Sequence, residues 1–419
     1  MGAPRRIKTI IPKKNRIALV CSGGAAKAGA YHLGVALALR EKGFKFTGGL
    51  LDEDEGDDIV RQQPGTRDIS IYVGSSAGSI ISSFLAAGYS LDAIFQSFLR
   101  EKTPPKSLDK VLKPLSYNRL FSLRRETGVL STIYDLADAS LSITGFMKGI
   151  ARESYRNMLN MSWLKVPGFF TTAGIEQYMR EDVLPSNDFR RYKADLFLVA
   201  TQLNHSRKVV FCRHSELPSN EDKNCLYMNT VSVSKAVAAS TSLPPIFSPY
   251  PIANESGRRV YYFDGEIRDT LSTHVAVDAG ADLVFASYTH QPYHFNREIG
   301  SLHEYGLPMI IIQTIYLIIE RKIQQHRQFI DRSRIAYDAI YEAMKSHGVP
   351  DETKKRVLDV FEQKMHYRHN VHYIHIHPQP HDHQMFFGDH FNLNPHVLKE
   401  IVRVGFRNAI DVLRKYDFA

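Results

Sequence analysis

Cysteine is scarce: Cys21, Cys212 and Cys225 are the three in 419 residues. They make no disulfide framework and no metal spacing, which points to a reducing compartment or plain structural thiols. Long apolar runs are also missing. The longest, Leu307 to Ile319, is thirteen residues interrupted by Gln313 and Thr314. A bilayer span needs about 20, so this run is expected to be a buried core helix. Acids are absent from the first sixteen positions, MGAPRRIKTIIPKKNR, which hold six Lys or Arg. No apolar stretch or small-residue cleavage site follows, which argues against a secretory signal. Arg6 stands where a myristoylation signal after Met1-Gly2 needs Ser or Thr. Residues 1–16 are therefore expected to be a frayed, solvated basic tail.

The rest of the composition, 43% hydrophobic and 23% charged, is that of a soluble globular protein with a sizeable core. Net charge is +9, which favours anionic partners, nucleic acid or an anionic membrane surface. Ile17–Cys21 is a short apolar run ended by glycines, followed by the helix-forming stretch Ala30 to Glu41. Ile69 to Val73, a tight GSSAG turn and the helical Ser79 to Ala87 repeat that pattern. Two strand–turn–helix units predict a parallel sheet covered by helices. The acidic, turn-rich stretch between them, Leu51 to Asp68, reads as a surface loop. Further strands are expected at Ala194–Ala200, Lys208–Cys212, Arg259–Phe263, Leu283–Ser287 and Val371–Ile376. Helices are expected at Ser234–Ser240, Leu317–Lys345 and Pro395–Lys415. No linker or repeat divides the chain, so residues 17–415 read as one α/β domain. It carries a helical cap or insertion at about 100–170, where Leu130 to Ile150 is amphipathic.

Gly74-Ser75-Ser76-Ala77-Gly78 is the strongest local signal. A serine at the centre of G-x-S-x-G, between strand and helix, sits on a strained turn with its hydroxyl at a helix N-terminus. Gly74 and Gly78 remove side chains that would clash there, and Ser76 is the candidate nucleophile. A serine needs a base. Nine of the eighteen histidines fall between His366 and His396, and none is marked out as catalytic. Asp264 ends a strand and is followed by Gly265; a desolvated aspartate there could serve as base without histidine, although Asp-Gly is also an ordinary turn. The glycine-rich turn from Ser22 to Gly29 matches neither G-x-G-x-x-G nor the P-loop pattern. Its remaining reading is an oxyanion hole of backbone amides. His375 and His377 would share one strand face, but solvated surface histidines are the better account and no metal site is expected.

Taken together, SGGAAKAGAYHLGV at Ser22 to Val35, GSSAG at Gly74 to Gly78 and DGEIRD at Asp264 to Asp269 resemble the patatin-like phospholipase family. The resemblance implies a Ser76–Asp264 dyad, with Gly23, Gly24, Ala25, Ala26 and Lys27 as the oxyanion loop. It also implies a three-layer α/β/α fold with a central, mainly parallel sheet. The activity it implies is acyl-ester hydrolysis of phospholipid or lysophospholipid through an acyl-serine, without metal or cofactor. Its partners would be a lipid substrate and a membrane surface met peripherally, not nucleic acid. The default location is the cytoplasm or a peripheral membrane site. Several relatives are secreted effectors, so signal-less secretion and a host activator belong to the same expectation. Two positions depart from the family's usual pattern: Ala25 stands where a third glycine is common, and Glu266 follows Asp264-Gly265. The rival readings are a Ser-His-Asp esterase for small esters and a membrane-binding protein with a decayed site.

Overall fold

The structure is a computed structural model that describes residues 8–51, 65–100, 110–123, 168–217, 225–268 and 270–419. Its organising strand is Ile17–Cys21 (β1), buried at all five positions, as a strand covered on both faces must be. Ile17, Leu19 and Cys21 face one core; Ala18 and Val20 face the other. The remaining strands of the sheet are Lys45–Phe46 (β2), Asp68–Ser75 (β3), Asp195–Gln202 (β4), Arg207–Phe211 (β5), Cys225–Met228 (β6), Tyr250–Ala253 (β7), Arg259–Asp264 (β8), Leu283–Ser287 (β9) and His372–Ile376 (β10). Their spatial order is β7-β8-β4-β3-β1-β9-β10, with β2 beside β3 and the pair β5-β6 on the far edge of β4. The central strands β4, β3, β1, β9 and β10 run parallel, while β5 and β8 meet β4 antiparallel.

Helices cover both faces and complete the three layers. Against the larger core lie Ala25–Glu41 (α1), Ala77–Ala86 (α2), Leu91–Leu99 (α3), Val233–Ser240 (α4) and, much further along the chain, Pro395–Leu413 (α8). Against the smaller core lie Thr273–Asp278 (α5) and the middle of the forty-residue Leu307–Ser346 (α6), which leads into Asp351–Met365 (α7). α1 and α8 touch backbone to backbone: a Cβ at Gly34 would strike the Val402 carbonyl, and one at Gly405 the Tyr31 carbonyl.

Several expectations need correction. α1 begins at Ala25 rather than Ala30, so Ala25, Ala26 and Lys27 form its first turn instead of a separate loop. The glycine-rich stretch misleads because Gly29 sits inside the helix, where a Cβ would meet only ordinary contacts. Residues 8–16 are not frayed: Thr9–Ile11 pairs in parallel with Tyr416–Phe418, Ile11 is buried, and Arg16 forms an ion pair with Asp195 at 2.6 Å. The Leu307–Ile319 run is helical but not a buried core helix, because six of its aliphatic side chains are exposed. His375 and His377 are not solvated either. His377 stacks on Tyr288 with ring centroids 4.8 Å apart, and burial pushes the His375 pKa down to about 3. Most of the expected cap, including Leu130 to Ile150, and most of the Leu51 to Asp68 loop lie outside the described residues.

Candidate active site

β4 is where the site is assembled. Its Leu198–Gln202 half is bonded to β5 along one edge. Along the opposite edge β3 arrives first and ends with Ser75 beside Val199. β8 then comes in from the other direction along that same edge and ends with Asp264 beside Ala200. Two strands thus run toward each other and stop at adjacent residues of a third. The residue after one end is Ser76; the residue at the other end is Asp264.

The turn at Ser76 is tight. Its φ is 51° and ψ −125°, a conformation that costs a side-chain-bearing residue roughly 1–3 kcal/mol. Packing holds it: the Ser76 amide donates to Ser240 Oγ at 2.9 Å, and Ser240 Oγ donates to the Val199 carbonyl at 2.7 Å. A Cβ at Gly74 would lie 2.5 Å from the Gly78 carbonyl, and one at Gly78 would strike the Cys21 carbonyl of β1. A Cβ at Gly265 would lie 2.6 Å from the Val199 carbonyl. Ser76 remains 5% exposed, in the wall of a cavity.

Asp264 is buried. Its amide donates to the Ser242 carbonyl at 3.0 Å, and its Oδ1 accepts the Glu266 amide at 2.9 Å. Desolvation pushes its pKa up to about 6, while the Ser76 side chain and the Glu266 amide favour the charged form. Glu266 turns inward rather than to solvent. Its Cγ would lie 2.7 Å from a Cβ on Gly23, and its Oε2 is 4.0 Å from His290 Nδ1. Burial first, then Lys27 and His32, pushes the His290 pKa down to about 3, so the imidazole is neutral and no ion pair forms.

Gly23 and Gly24 lead into α1. Gly24 has φ 125°, and a Cβ there would strike Thr289 Oγ1, which donates to the Gly23 carbonyl at 2.9 Å. Ala25 has φ 58°, the left-handed region, which explains why glycine suits this position. A helix leaves its first amides without intrahelical acceptors. The Lys27 amide donates to the His390 carbonyl at 3.2 Å, whereas Ala25 and Ala26 line the cavity with Ser76. The Lys27 side chain points away from the cavity. Its buried Nζ donates to the Met385 carbonyl and lies 3.3 Å from His390 Nε2, and desolvation lowers its pKa to about 7. Behind the turn, His32 donates from Nε2 to the Ser22 carbonyl at 2.9 Å and accepts at Nδ1 from Ser287 Oγ at 2.7 Å. A carbonyl can only accept, which fixes that tautomer.

The cavity and the open space at its mouth together amount to about 840 Å³. Ile81, Phe84, Phe98, Phe247, Phe391 and Leu398 give it an apolar lining, and among the described residues no histidine lines it. Two helix N-termini, those of α1 and α2, open beside Ser76, and neither carries an acid in its first turn. Both dipoles therefore favour negative charge at this spot. Serine, carboxylate, free amides and an apolar slot suit acyl transfer. Ser240, Thr289 and His32 were not legible as site residues; the only signal for Ser240 is its place in VSVSKAVAASTSLPP.

The model of the patatin-like phospholipases matches residues 19–277, more than half of the chain. The chain belongs to the patatin-like phospholipase family, whose members are typically lipid acyl hydrolases. No curated protein matches it. The matched stretch holds all three motifs and ends before α6.

Because Ser240 pins the Ser76 amide, Ser240→Ala should slow labelling of Ser76 by a fluorophosphonate about tenfold, the worth of one hydrogen bond to a positioned group. Equal labelling rates in variant and wild type would show that the turn holds without it.

Proposed function

We propose that the protein hydrolyses fatty-acyl esters of phospholipids or lysophospholipids at a membrane surface, through Ser76 and Asp264. One observation carries this reading. β3 and β8 end at adjacent residues of β4, which sets the Ser76 hydroxyl, in the wall of an apolar cavity, in hydrogen-bonding reach of the buried Asp264 carboxylate.

In this reading the acyl chain lies in the cavity with its ester carbonyl at Ser76. Asp264 takes the Ser76 proton as Oγ bonds to the carbonyl carbon, and the displaced π pair moves to the carbonyl oxygen. The amides of Gly24, Ala25 and Ala26 would hold that oxyanion, since the Lys27 amide is already bonded to His390. Removing one such donor typically slows acyl transfer about 10²–10³-fold. As the tetrahedral species collapses, the leaving alcohol takes the proton from Asp264 and the acyl group stays on Ser76. Water then attacks the acyl-serine, Asp264 takes a proton from it, and fatty acid leaves with Ser76 restored. A carboxylate is a weak base in water; burial raises its basicity toward the working pH.

Ser76→Ala and Asp264→Asn should each abolish fatty-acid release from phosphatidylcholine and lysophosphatidylcholine while leaving the far-ultraviolet circular dichroism unchanged. Turnover retained by either variant would sink the dyad.

Only ionised Asp264 can accept the proton, so kcat/KM should climb as pH rises through about 6 and level off above it. The same shift has a stability consequence. The folded pKa lies above the ordinary 3.8, so the folded state holds the proton more tightly, and stability falls as pH rises from about 4 to about 6. Asp264→Asn should therefore melt above wild type at pH 8 although inactive. A variant melting at or below wild type would contradict that electrostatic origin.

Gly29 lines the cavity from α1, and a Cβ there would meet Ile81 and Phe98 at ordinary contact distances of 3.7 and 3.8 Å. Gly29→Leu should cut hydrolysis of long-chain lysophospholipid about tenfold or more while sparing short-chain esters, because the added side chain fills the slot. Unchanged chain-length preference would place the acyl chain elsewhere.

A further inference from the structure

α6 carries an apolar surface that the site does not use. The helix runs back across the smaller core, antiparallel to the central strands. Arg334 donates to the Val371 carbonyl at 3.0 Å, just before β10 begins. Tyr316 packs its ring 5.2 Å from that of His290, just after β9 ends. Residues 307–315 therefore overhang the sheet edge at which Ser76 and Asp264 lie. Lys322 ties the helix to that edge by donating to the carbonyl of Ile267, itself exposed, at 3.2 Å.

The inner side of the helix is spent on packing by Met309, Tyr316, Ile319 and Ile323, all buried. The outer side carries Leu307, Ile310, Ile311, Ile315, Leu317 and Ile318, with exposures from 42% at Ile310 to 67% at Leu307. Positions 307, 311, 315 and 318 follow helical spacing, and 310 and 317 flank them, so they form one face, in which the one polar side chain is Thr314, its hydroxyl donating to the Ile310 carbonyl at 2.8 Å. No charged residue interrupts Leu307 to Ile319. Glu320, half-buried, follows it, and then come Arg321 and Lys322, both exposed, on a chain of net charge +9.

We infer that this face of α6 is a docking surface for anionic phospholipid bilayer. The inference rests on the lipid-hydrolase reading and adds to it where the membrane is met. An exposed aliphatic face of this extent marks an interaction site. Branched aliphatics without an aromatic or arginine at the centre lack the anchors that dominate protein–protein interfaces. Aliphatic side chains entering the headgroup and acyl boundary, with Arg321 and Lys322 against acidic headgroups, match a bilayer in both apolarity and charge. The position matches as well, because a membrane touching residues 307–318 lies along the edge that holds the dyad.

The test uses the full chain and flotation with vesicles of phosphatidylcholine containing roughly 30% phosphatidylserine. Replacing Ile311, Ile315 and Ile318 together by serine changes only exposed side chains. Vesicle partitioning of this variant should fall about tenfold or more, and turnover of vesicular phospholipid should fall with it. Hydrolysis of a soluble short-chain nitrophenyl ester should stay at the wild-type rate. Arg321→Gln with Lys322→Gln should weaken binding to the phosphatidylserine vesicles more than to pure phosphatidylcholine. Wild-type partitioning by the triple variant would overturn the inference. A dimer-to-monomer change in sedimentation with vesicle binding intact would also overturn it and assign the face to a second copy. Failure of the hydrolase reading would look different: wild type and Ser76→Ala would be equally inert on every ester, whatever the vesicles report.

Discussion

Everything at the site depends on two strands competing for one edge of β4. β3 uses that edge as far as Val199 and β8 uses it as far as Ala200, so neither chain can continue and each must turn out of the sheet at once. The crowding explains the local composition. Gly265 sits where a Cβ would meet both the Val199 carbonyl and Ser75 Oγ, and Gly78 lets α2 start directly on β1. The Val199 carbonyl, at the junction, accepts from Ser240 Oγ, and Ser240 in turn fixes the Ser76 amide. A single hydroxyl therefore joins sheet, covering helix and nucleophile turn.

That geometry is paid for in strain and desolvation. Ser76 and Ala25 both hold left-handed φ values, and Asp264 carries its charge in a buried setting that raises its pKa. Among the described residues no cation neutralises it. His32 and His290 are neutral, with pKa values pushed down to about 4 and about 3 by burial, and Lys27 is directed to Met385 and His390 rather than to the dyad. A paired lysine or imidazolium beside Asp264 would stabilise the carboxylate and weaken it as a base. In the proposed mechanism its isolation is what would make it useful as a base, and the rest of the core must supply the stability that this isolation removes.

Much of this was legible in the sequence where the chemistry is local. A serine between two glycines, after an apolar run and before a helix former, can be little else than a strand-to-helix turn, and the structure has one there. Asp264 was legible as a strand end, but not the direction of its strand: β8 is antiparallel, and only pairing with β4, some sixty residues earlier in the chain, sets that direction. Ser240 was hidden for the same reason, since nothing in an Ala- and Ser-rich helix distinguishes the serine that reaches another strand's turn. Lys27 sits in the glycine-rich motif and reads as part of it, yet its helical position rotates it toward the loop before α8. The apolar run at Leu307 misled most plainly. Its hydrophobicity reads as burial, but a helix that overhangs the sheet can bury only its inner side.

The overhang bears on how a lipid would reach Ser76. An acyl chain leaving a bilayer for an apolar cavity exchanges one hydrocarbon environment for another, so the hydrophobic effect contributes little to that step. The cavity can select chain length and hold the ester in place, but it cannot supply much affinity. In the proposed reading, affinity comes from contacts that exist only when protein and membrane meet, those inferred for the α6 face and the cations that follow it. Cavity and face lie on opposite sides of the sheet and share one edge, the edge where β3 and β8 stop. In the proposed reading, the junction that brings Ser76 and Asp264 together also decides which side of the molecule would face the lipid.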